Sequence, residues 1–211
     1  MLNAPALGRP ASITREEIMI AALGLLGPSR SMSSLSLREI ARATGMAPNS
    51  FYRHFRDLDE LSIALIDLAA DSLRQIIREA RERATRGHGS VVASSIQAFM
   101  QQLHEDEKFL HLLLRESHIG SPAYQHAIEQ ALSEFEQELC HDLIRLAQHR
   151  QQPLYAPALT AKAITRLVFT LGASAVDRPS SEHPRIAEEL CVMVRMLLAG
   201  SQALLPAEPD A

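Results

Sequence analysis

One short stretch of the chain, from Ser36 to His54, constrains the fold more than any other part of the sequence. Ser36 and Glu39 have the spacing of a capping box, in which each residue bonds the backbone N–H of the other and a helix begins. Gly45 follows where a helix end favours a left-handed residue. Pro48 suits the first turn of a second helix, because its missing N–H would have had no partner there. The pattern predicts two short helices joined by a tight turn, a helix-turn-helix.

Apolar residues in the same stretch indicate how the two helices pack. Leu37 and Ile40 share one face of the first helix, and Phe51 and Phe55 share one face of the second. Packing these faces together leaves polar donors outward, as binding in a DNA major groove requires, although an ordinary helical hairpin with a polar surface fits the pattern too. The outward residues are Asn49, Ser50, Arg53 and His54.

The end of this stretch runs into a further motif. Residues 51–55 read Phe-Tyr-Arg-His-Phe, and residues 57–61 read Asp-Leu-Asp-Glu-Leu, which is an acidic opening for the next helix. With the helix-turn-helix in register before them, these motifs resemble the DNA-binding domain of the TetR family of bacterial repressors. The resemblance covers residues 36–61 and implies a regulator that binds double-stranded operator DNA.

Within that family, residues 35–57 are most similar to the FabR/DesT group of repressors of unsaturated fatty acid synthesis. The closer similarity continues, more weakly, at residues 73–75, 99–100 and 112–116. It implies a homodimer that pairs through its last two helices, reads a palindrome and responds to acyl-CoA or a fatty acid. A wholly intramolecular packing of the last two helices is the alternative.

The resemblance also implies which residues contact DNA. Asn49 is expected to read a base edge, whereas Tyr52 and His54 are expected to donate to phosphates and fix the register. The full set of expected DNA-binding residues is Ser36, Arg38, Pro48, Asn49, Ser50, Phe51, Tyr52, Arg53 and His54.

Charge is distributed unevenly along the chain. The net charge is −4, yet residues 1–56 hold seven arginines against three glutamates, which gives +4, and residues 57–211 hold 14 basic and 22 acidic residues, which gives −8. Local charge decides whether a phosphate backbone is attracted, so the N-terminal end is expected to face DNA. Many family members have a lysine where this chain has Leu58, so Arg53 or Arg56 is expected to replace that phosphate contact.

Residues 57–86 predict one long helix, because Asp57 and Glu60 can cap its start and no proline or glycine interrupts it. Nearly 30 residues would span roughly 40 Å, enough to leave one domain and enter another. We therefore expect an all-α protein. A three-helix helix-turn-helix domain in residues 1–56 would be joined by the long helix to a ligand-binding and dimerisation bundle in residues 57–211.

Helical patterns continue on both sides of this unit. A capping box at Thr14 and Glu17 predicts a first supporting helix, and Arg9 before it is either a basic arm for the minor groove or part of a solvated tail. A helix from Glu107 is apolar almost all round and is expected inside the bundle. Other helices are predicted at 90–103, 123–148, 159–176 and 186–205.

Apolar side chains on these helices are candidates for an acyl-chain pocket, since such pockets are mostly apolar with few polar anchors. The same residues serve equally well as ordinary core. Arg115, His118 and Arg166 are possible partners for a thioester or phosphorylated head group, with a solvated helix surface as the simpler interpretation. The candidate ligand-binding residues are Leu73, Ile76, Ile77, Phe99, Met100, Phe109, Leu113, Phe135 and Phe169.

Other classes of protein fit the sequence less well. The two cysteines, Cys140 and Cys191, are far apart and are expected to be buried thiols in a reducing cytoplasm. No run of about 18 uncharged apolar residues and no signal peptide is evident, so no membrane partner is expected. Nine histidines occur without a Ser-centred elbow or a His-Glu-x-x-His motif, so we expect neither an enzyme, nor a bound metal or cofactor.

Two other interpretations of the sequence stay open. A TetR-type regulator of drug efflux, with an aromatic or cationic ligand, is disfavoured by the low aromatic content but is compatible with the fold. A helical adaptor that binds an acidic partner through its basic end is the second.

Overall fold

The computed structural model describes residues 13–26, 30, 32–87, 89–105, 121–176 and 178–205. Every regular element in these residues is helical, so the all-α prediction is confirmed. Short 3-10 helices occupy Met32–Ser34 and Ser180–Glu182. The α-helices of the described residues are α1 (Arg15–Leu25), α2 (Leu37–Thr44), α3 (Pro48–Phe51), α4 (Leu58–Arg86), α5 (Val91–Glu105), α6 (Pro122–Arg150), α7 (Pro157–Val176) and α8 (His183–Ala203).

Several predicted features lie outside the described residues. They are the arm with Arg9, the helix expected from Glu107 with its ligand candidates Phe109 and Leu113, and the head-group candidates Arg115 and His118.

Both predicted capping boxes are present. The Thr14 hydroxyl accepts from the Glu17 N–H at 3.1 Å, and the Glu17 carboxylate accepts from the Thr14 N–H at 2.8 Å. At the start of α2, the Glu39 carboxylate accepts from the Ser36 N–H at 3.0 Å. Hydrogen bonds from Ser36 and then from Arg30 lower the pKa of Glu39 from 4.5 to about 2. This carboxylate therefore stays charged while it holds the start of the helix.

The turn between α2 and α3 forms as the sequence predicts. Gly45 has φ +70° and donates its N–H to carbonyls of the last turn of α2, and Pro48 begins α3. Phe51 and Phe55 are buried together, with ring centroids 5.6 Å apart, beside the fully buried Ile40. This aromatic pair joins α2, α3 and α4 in one core.

Helix α4 spans 29 residues without a break, or about 43 Å. Its start is capped by Asp57, whose carboxylate accepts from the Glu60 N–H at 2.8 Å. The first turns pack against α1, and Leu61 and Leu65 are fully buried. The later turns pack against α5 and α6. The predicted boundary at residues 56 and 57 thus falls at the start of a helix that serves both parts.

The C-terminal bundle consists of α4 to α8 in the described residues. Helix α5 packs against α4 and α8, α6 packs against α4 and α7, and α7 packs against α8. Helices α4 and α6 run parallel, because successive arginines of α4 meet successive acids of α6. The pairs are Arg74 with Glu134, Arg78 with Glu138 at 3.2 Å, and Arg81 with Asp142 at 2.9 Å.

The end of the chain differs from the sequence-based prediction. The last helix was expected from Ile186, after a loop that ends at Pro184. Instead α8 begins at His183, because a proline in the first turn starts a helix without loss of a hydrogen bond. The loop before α7 is held to α8, where the Tyr155 N–H donates to the Ser201 carbonyl at 3.0 Å.

Helix α7 is long and apolar enough, by length and composition, to cross a membrane, with a mean hydropathy of 1.3. One such helix is weak evidence for a span, since core helices of soluble proteins have the same composition. It also carries Lys162 and Arg166, and its buried residues, such as Ala161 and Phe169, face the bundle. Packing within the bundle accounts for part of its apolar character, since 39% of this stretch is buried.

Cys140 and Cys191 are free thiols, each half-buried, where the sequence led us to expect full burial. Burial raises the pKa of the Cys191 thiol.

The turn glycine provides a test of the helix-turn-helix. Gly45→Ala is expected to lower the free energy of unfolding by about 1 kcal/mol, because alanine is strained at positive φ although nothing lies within 4 Å of the new methyl group. Gly24→Ala is the matched control, since Gly24 lies in α1 with equal space around it and alanine favours a helix. Urea unfolding followed by circular dichroism should show opposite shifts, and equal shifts would contradict this account of the turn.

Candidate DNA-binding surface and ligand cavity

The candidate DNA-binding surface consists of the start of α2, the length of α3 and the residues that follow α3. Asn49 is exposed on α3, and Tyr52 is 59% exposed at its end. Ser50 and His54 are half-buried. Ser36, Arg38, Pro48 and Arg53 are exposed. These side chains present donors and acceptors beside a helix narrow enough for a major groove.

Phe51 is the exception among the predicted DNA-binding residues. Its side chain is fully buried, where it packs against Phe55 and, edge to face, against Tyr52 at 5.8 Å between ring centroids. A side chain without exposed surface has no access to DNA, so the prediction for Phe51 is corrected. The residue instead supports α3 from behind.

Arginines in this part of the chain fall into two groups. Arg30 pairs with Glu39, and both Arg15 and Arg56 pair with Glu60, at 3.4 Å and 3.0 Å. The second group is free of ion pairs within the described ranges and exposed to solvent. It consists of Arg38, Arg42 and Arg53. Since Arg56 is engaged by Glu60, Arg53 is the better candidate to replace the lysine that family members have at position 58.

Arg42 was missed by the sequence analysis. It lies four residues after Arg38 on α2, so both guanidinium groups project from one side of the helix. That i, i+4 spacing was the signal that could have identified it.

Arg15 positions the end of α3 without facing DNA. Its guanidinium donates to the His54 carbonyl at 2.9 Å and lies 4.2 Å from the centroid of the Phe55 ring. Helix α1 thereby holds the residues that follow α3, as a supporting helix should.

The C-terminal bundle contains a partly open cavity of about 350 Å³. Three aromatic rings form one wall, with Phe169 at 5.7 Å from Phe99 and 5.0 Å from Phe135 between ring centroids. Ile77 of α4 also lines the cavity. Four of the predicted ligand-binding residues therefore surround one space, whose volume lies at the lower end of the usual range for ligand pockets.

The remaining described candidates lie elsewhere. Leu73 and Ile76 are outside the cavity lining, with Leu73 buried in the core of the bundle. Met100 lines a separate groove between α5 and α8. Helical periodicity placed all three on apolar faces, but a face that packs against a neighbour and a face that borders a cavity have the same pattern.

The sequence analysis also missed residues of the cavity wall. Leu139 and Leu143 continue the face of Phe135 at intervals of four residues along α6, and this spacing was a usable signal. Other missed lining residues include Ile96, Ile164, Val168, Val194 and Leu198.

Polar groups also line the cavity. Arg81 and Asp142 form their ion pair there, and Arg150, Gln152 and Gln202 are exposed lining residues. Arg166, expected as a partner for a head group, is instead held by Glu129 and Glu136, at 2.8 Å and 2.7 Å. These two carboxylates raise its pKa. Arg166 therefore stabilises the packing of α7 on α6.

Residues 19–65 match the family model of the bacterial regulatory proteins of the tetR family. The matched region includes the helix-turn-helix, its supporting helix and the first turns of α4. This part of the chain is therefore similar to the bacterial regulatory proteins of the tetR family.

Solved structures of several other proteins share the fold of this chain. A transcriptional regulator from Rhodococcus sp. is 19% identical with a TM-score of 0.69, over 92% of this chain and 100% of its own. The repressor FadR of Thermus thermophilus, solved with lauroyl-CoA, is 20% identical with a TM-score of 0.65, over 94% and 98%. The multidrug binding protein EbrR, solved with imidazole, is 18% identical with a TM-score of 0.66, over 93% and 98%.

The division of the arginines provides a test of the candidate DNA-binding surface. Arg42→Gln is expected to weaken binding to any duplex and to lower the slope of log Kd against log salt by about 1, because one phosphate contact is lost. Arg56→Gln is the control, since Arg56 is also exposed but forms an ion pair with Glu60. Fluorescence anisotropy over a series of salt concentrations measures both, and a larger change for Arg56 would contradict the division.

Proposed function

We propose that the protein is a repressor that binds palindromic operator DNA as a homodimer in the cytoplasm and is released or recruited by a small hydrophobic effector. The observation that carries the DNA-binding role is the exposed face of α2 and α3, where unpaired arginines flank Asn49 and Tyr52. Phosphate contacts from arginine attract any duplex, and base-edge contacts select a sequence. Both of the clearest features, an arginine-lined surface and a ligand cavity, serve recognition, so we infer a binding protein without catalytic activity.

Exposed apolar residues support a dimer through α7 and α8. Leu159 of α7 is 65% exposed, and Val192 and Met196 of α8 are 43% and 66% exposed. Val192 and Met196 are four residues apart and lie on one side of α8. Pairing two copies would bury this surface, and a two-fold dimer presents two recognition helices about one DNA turn apart, as a palindrome requires.

For the effector we propose an acyl-CoA or fatty acid, and for the target the control of fatty acid desaturation or synthesis. The cavity supports this ligand class because its wall is aromatic and aliphatic while charged groups also line it. The similarity of residues 35–57 to the FabR/DesT group points the same way. FadR of Thermus thermophilus, which shares the fold, was solved with lauroyl-CoA.

A regulator of drug efflux is the second candidate, since the multidrug binding protein EbrR has a similar fold. A cationic drug would need an available carboxylate in the cavity. Asp142 lines the cavity but already accepts from Arg81 and from Arg145 at 2.6 Å, so its charge is compensated. The cavity therefore favours an anionic or neutral ligand.

The role of Asn49 is tested by comparing specific and random DNA. Asn49→Ala is expected to relax preference at one base pair per half-site, with a loss of roughly 1 to 3 kcal/mol on the specific duplex alone. Tyr52→Phe removes a hydroxyl that is expected to donate a hydrogen bond to a DNA phosphate, so it is expected to weaken binding to both duplexes alike. Competition titrations measure the two effects, and equal losses on both duplexes for Asn49→Ala would exclude base reading.

The effector class is tested by titrating the protein onto a labelled duplex from its own upstream region, with and without saturated and unsaturated acyl-CoAs. We expect the two acyl classes to change the DNA affinity by clearly different factors, because a ligand shifts an equilibrium only by its differential affinity for two states. Specific DNA binding that no acyl-CoA alters would leave the repressor in place and turn the search to drugs and other hydrophobic effectors.

A further inference from the structure

The ligand cavity contains a charged contact between the helix that reaches the DNA-binding domain and its neighbour in the bundle. Among the described residues, α4 contributes Ile77 and Arg81 to the cavity lining. Arg81 donates to the Asp142 carboxylate of α6 at 2.9 Å, and the two side chains are only 17% and 22% exposed. This ion pair therefore borders the cavity and is largely withdrawn from solvent.

Asp142 has a second ion-pair partner, which is exposed to solvent. The other oxygen of its carboxylate accepts from Arg145 at 2.6 Å, and the Arg145 side chain is 75% exposed. If Arg81 moved to another anion, Asp142 would keep a cation beside it. An exchange of partners would then leave neither charge uncompensated, which avoids the large cost of a buried unpaired charge.

The position of the pair relative to the apolar wall determines which part of a ligand would meet it. On α4, Arg81 follows Ile77 by four residues, and on α6, Asp142 follows Phe135 and Leu139 at intervals of four and three. The charged pair thus lies one turn from Ile77 on α4 and from Leu139 on α6, and Leu143 continues the apolar wall beside Asp142. An acyl chain that packs against Ile77 and Leu139 has Arg81 within one helical turn of it.

We propose that the Arg81–Asp142 ion pair is the contact through which the effector acts on α4. A ligand with an apolar chain and an anionic head group takes Arg81 from Asp142, and α4 then loses one of its attachments to α6. The inference rests on the proposed function, because it takes the effector to be an acyl anion of this kind. To that function it adds a specific role for Arg81, which binds the head group of the effector.

The effect can reach the DNA-binding surface because α4 is continuous. Arg81 is followed by one more turn of helix, and Leu61 and Leu65 at the other end are fully buried in the core beneath the helix-turn-helix. The distance from Leu61 to Arg81 along the helix is about 30 Å. A change in how the C-terminal turns are held therefore changes how a rigid element presents the DNA-binding domain.

A matched pair on the same two helices serves as control. Arg78 donates to Glu138 at 3.2 Å, but its side chain is 57% exposed and it does not line the cavity. Arg78→Gln removes the same type of α4–α6 contact as Arg81→Gln without touching the proposed site. A purely structural role of the ion pairs would affect both variants alike.

The test measures two quantities for the full chain and for Arg81→Gln, Asp142→Asn and Arg78→Gln. The first is the Kd of dodecanoate and of lauroyl-CoA by calorimetry, with dodecyltrimethylammonium as the cationic probe. The second is the Kd of the operator duplex with and without each probe. The two anionic probes distinguish a free carboxylate from a phosphorylated head group.

We expect Arg81→Gln to bind the anionic probes at least about tenfold more weakly, and its operator affinity to lose most of the response to them. Asp142→Asn is expected to bind them several-fold more tightly, since the competing carboxylate is gone. Arg78→Gln is expected to match the unmodified protein in both measurements. Asp142→Asn gains affinity, so it keeps the test decisive even if Arg81→Gln fails to fold.

Each other outcome overturns the inference in a recognisable way. Anionic probes that alter DNA binding equally in the unmodified protein and in Arg81→Gln, or equal losses in Arg78→Gln and Arg81→Gln, would remove the role of Arg81 and leave acyl sensing intact. Unchanged or weaker binding by Asp142→Asn would do the same. If the unmodified protein binds only dodecyltrimethylammonium, or binds no probe, the acyl effector and the inference fail together.

Discussion

The unbroken helix α4 is the constraint on which the rest of the structure depends. Its first turns complete the core beneath the helix-turn-helix, and its last turns form one wall of the ligand cavity. Because a helix without proline or glycine resists bending, the two parts of the protein cannot be repositioned independently. The candidate DNA-binding surface and the cavity are joined by one element of secondary structure.

Carboxylates decide which arginines are available for DNA. Glu60 engages two of them and Glu39 engages a third, while the exposed arginines of α2 and of the segment after α3 form no ion pair with any residue that the structure describes. The low pKa of Glu39 keeps its carboxylate ionised, so the pairing persists at any ordinary pH. The local charge of +4 in residues 1–56 is thus divided between groups that stabilise the domain and groups that face outward. Composition alone does not reveal that division.

The cavity and the core are built from the same kinds of residue. Phe99, Phe135 and Phe169 meet around one space, whereas Leu73 is equally apolar, equally helical and buried away from it. Phe51 illustrates the same point at the DNA-binding surface. Its position in the family motif suggested contact with DNA, yet its side chain is needed to fill the core behind α3. A sequence motif identifies the segment that is expected to bind DNA. Packing then determines whether each side chain in that segment is buried in the core or exposed to a ligand.

The sequence by itself determined where α1, α2, α3 and α4 begin and where α2 ends, because capping residues, a left-handed glycine and a helix-opening proline act through neighbours a few residues away. It also determined the length of α4 and the all-α fold. It did not determine which apolar faces border a cavity, which arginines are paired, or that Arg166 is held by two glutamates. Most of those properties depend on residues far apart in the sequence that meet only when the helices pack, as Arg166 meets Glu136 and Glu129 over 30 and 37 positions. Periodicity specifies the face of a helix, and only the tertiary structure specifies what lies opposite that face.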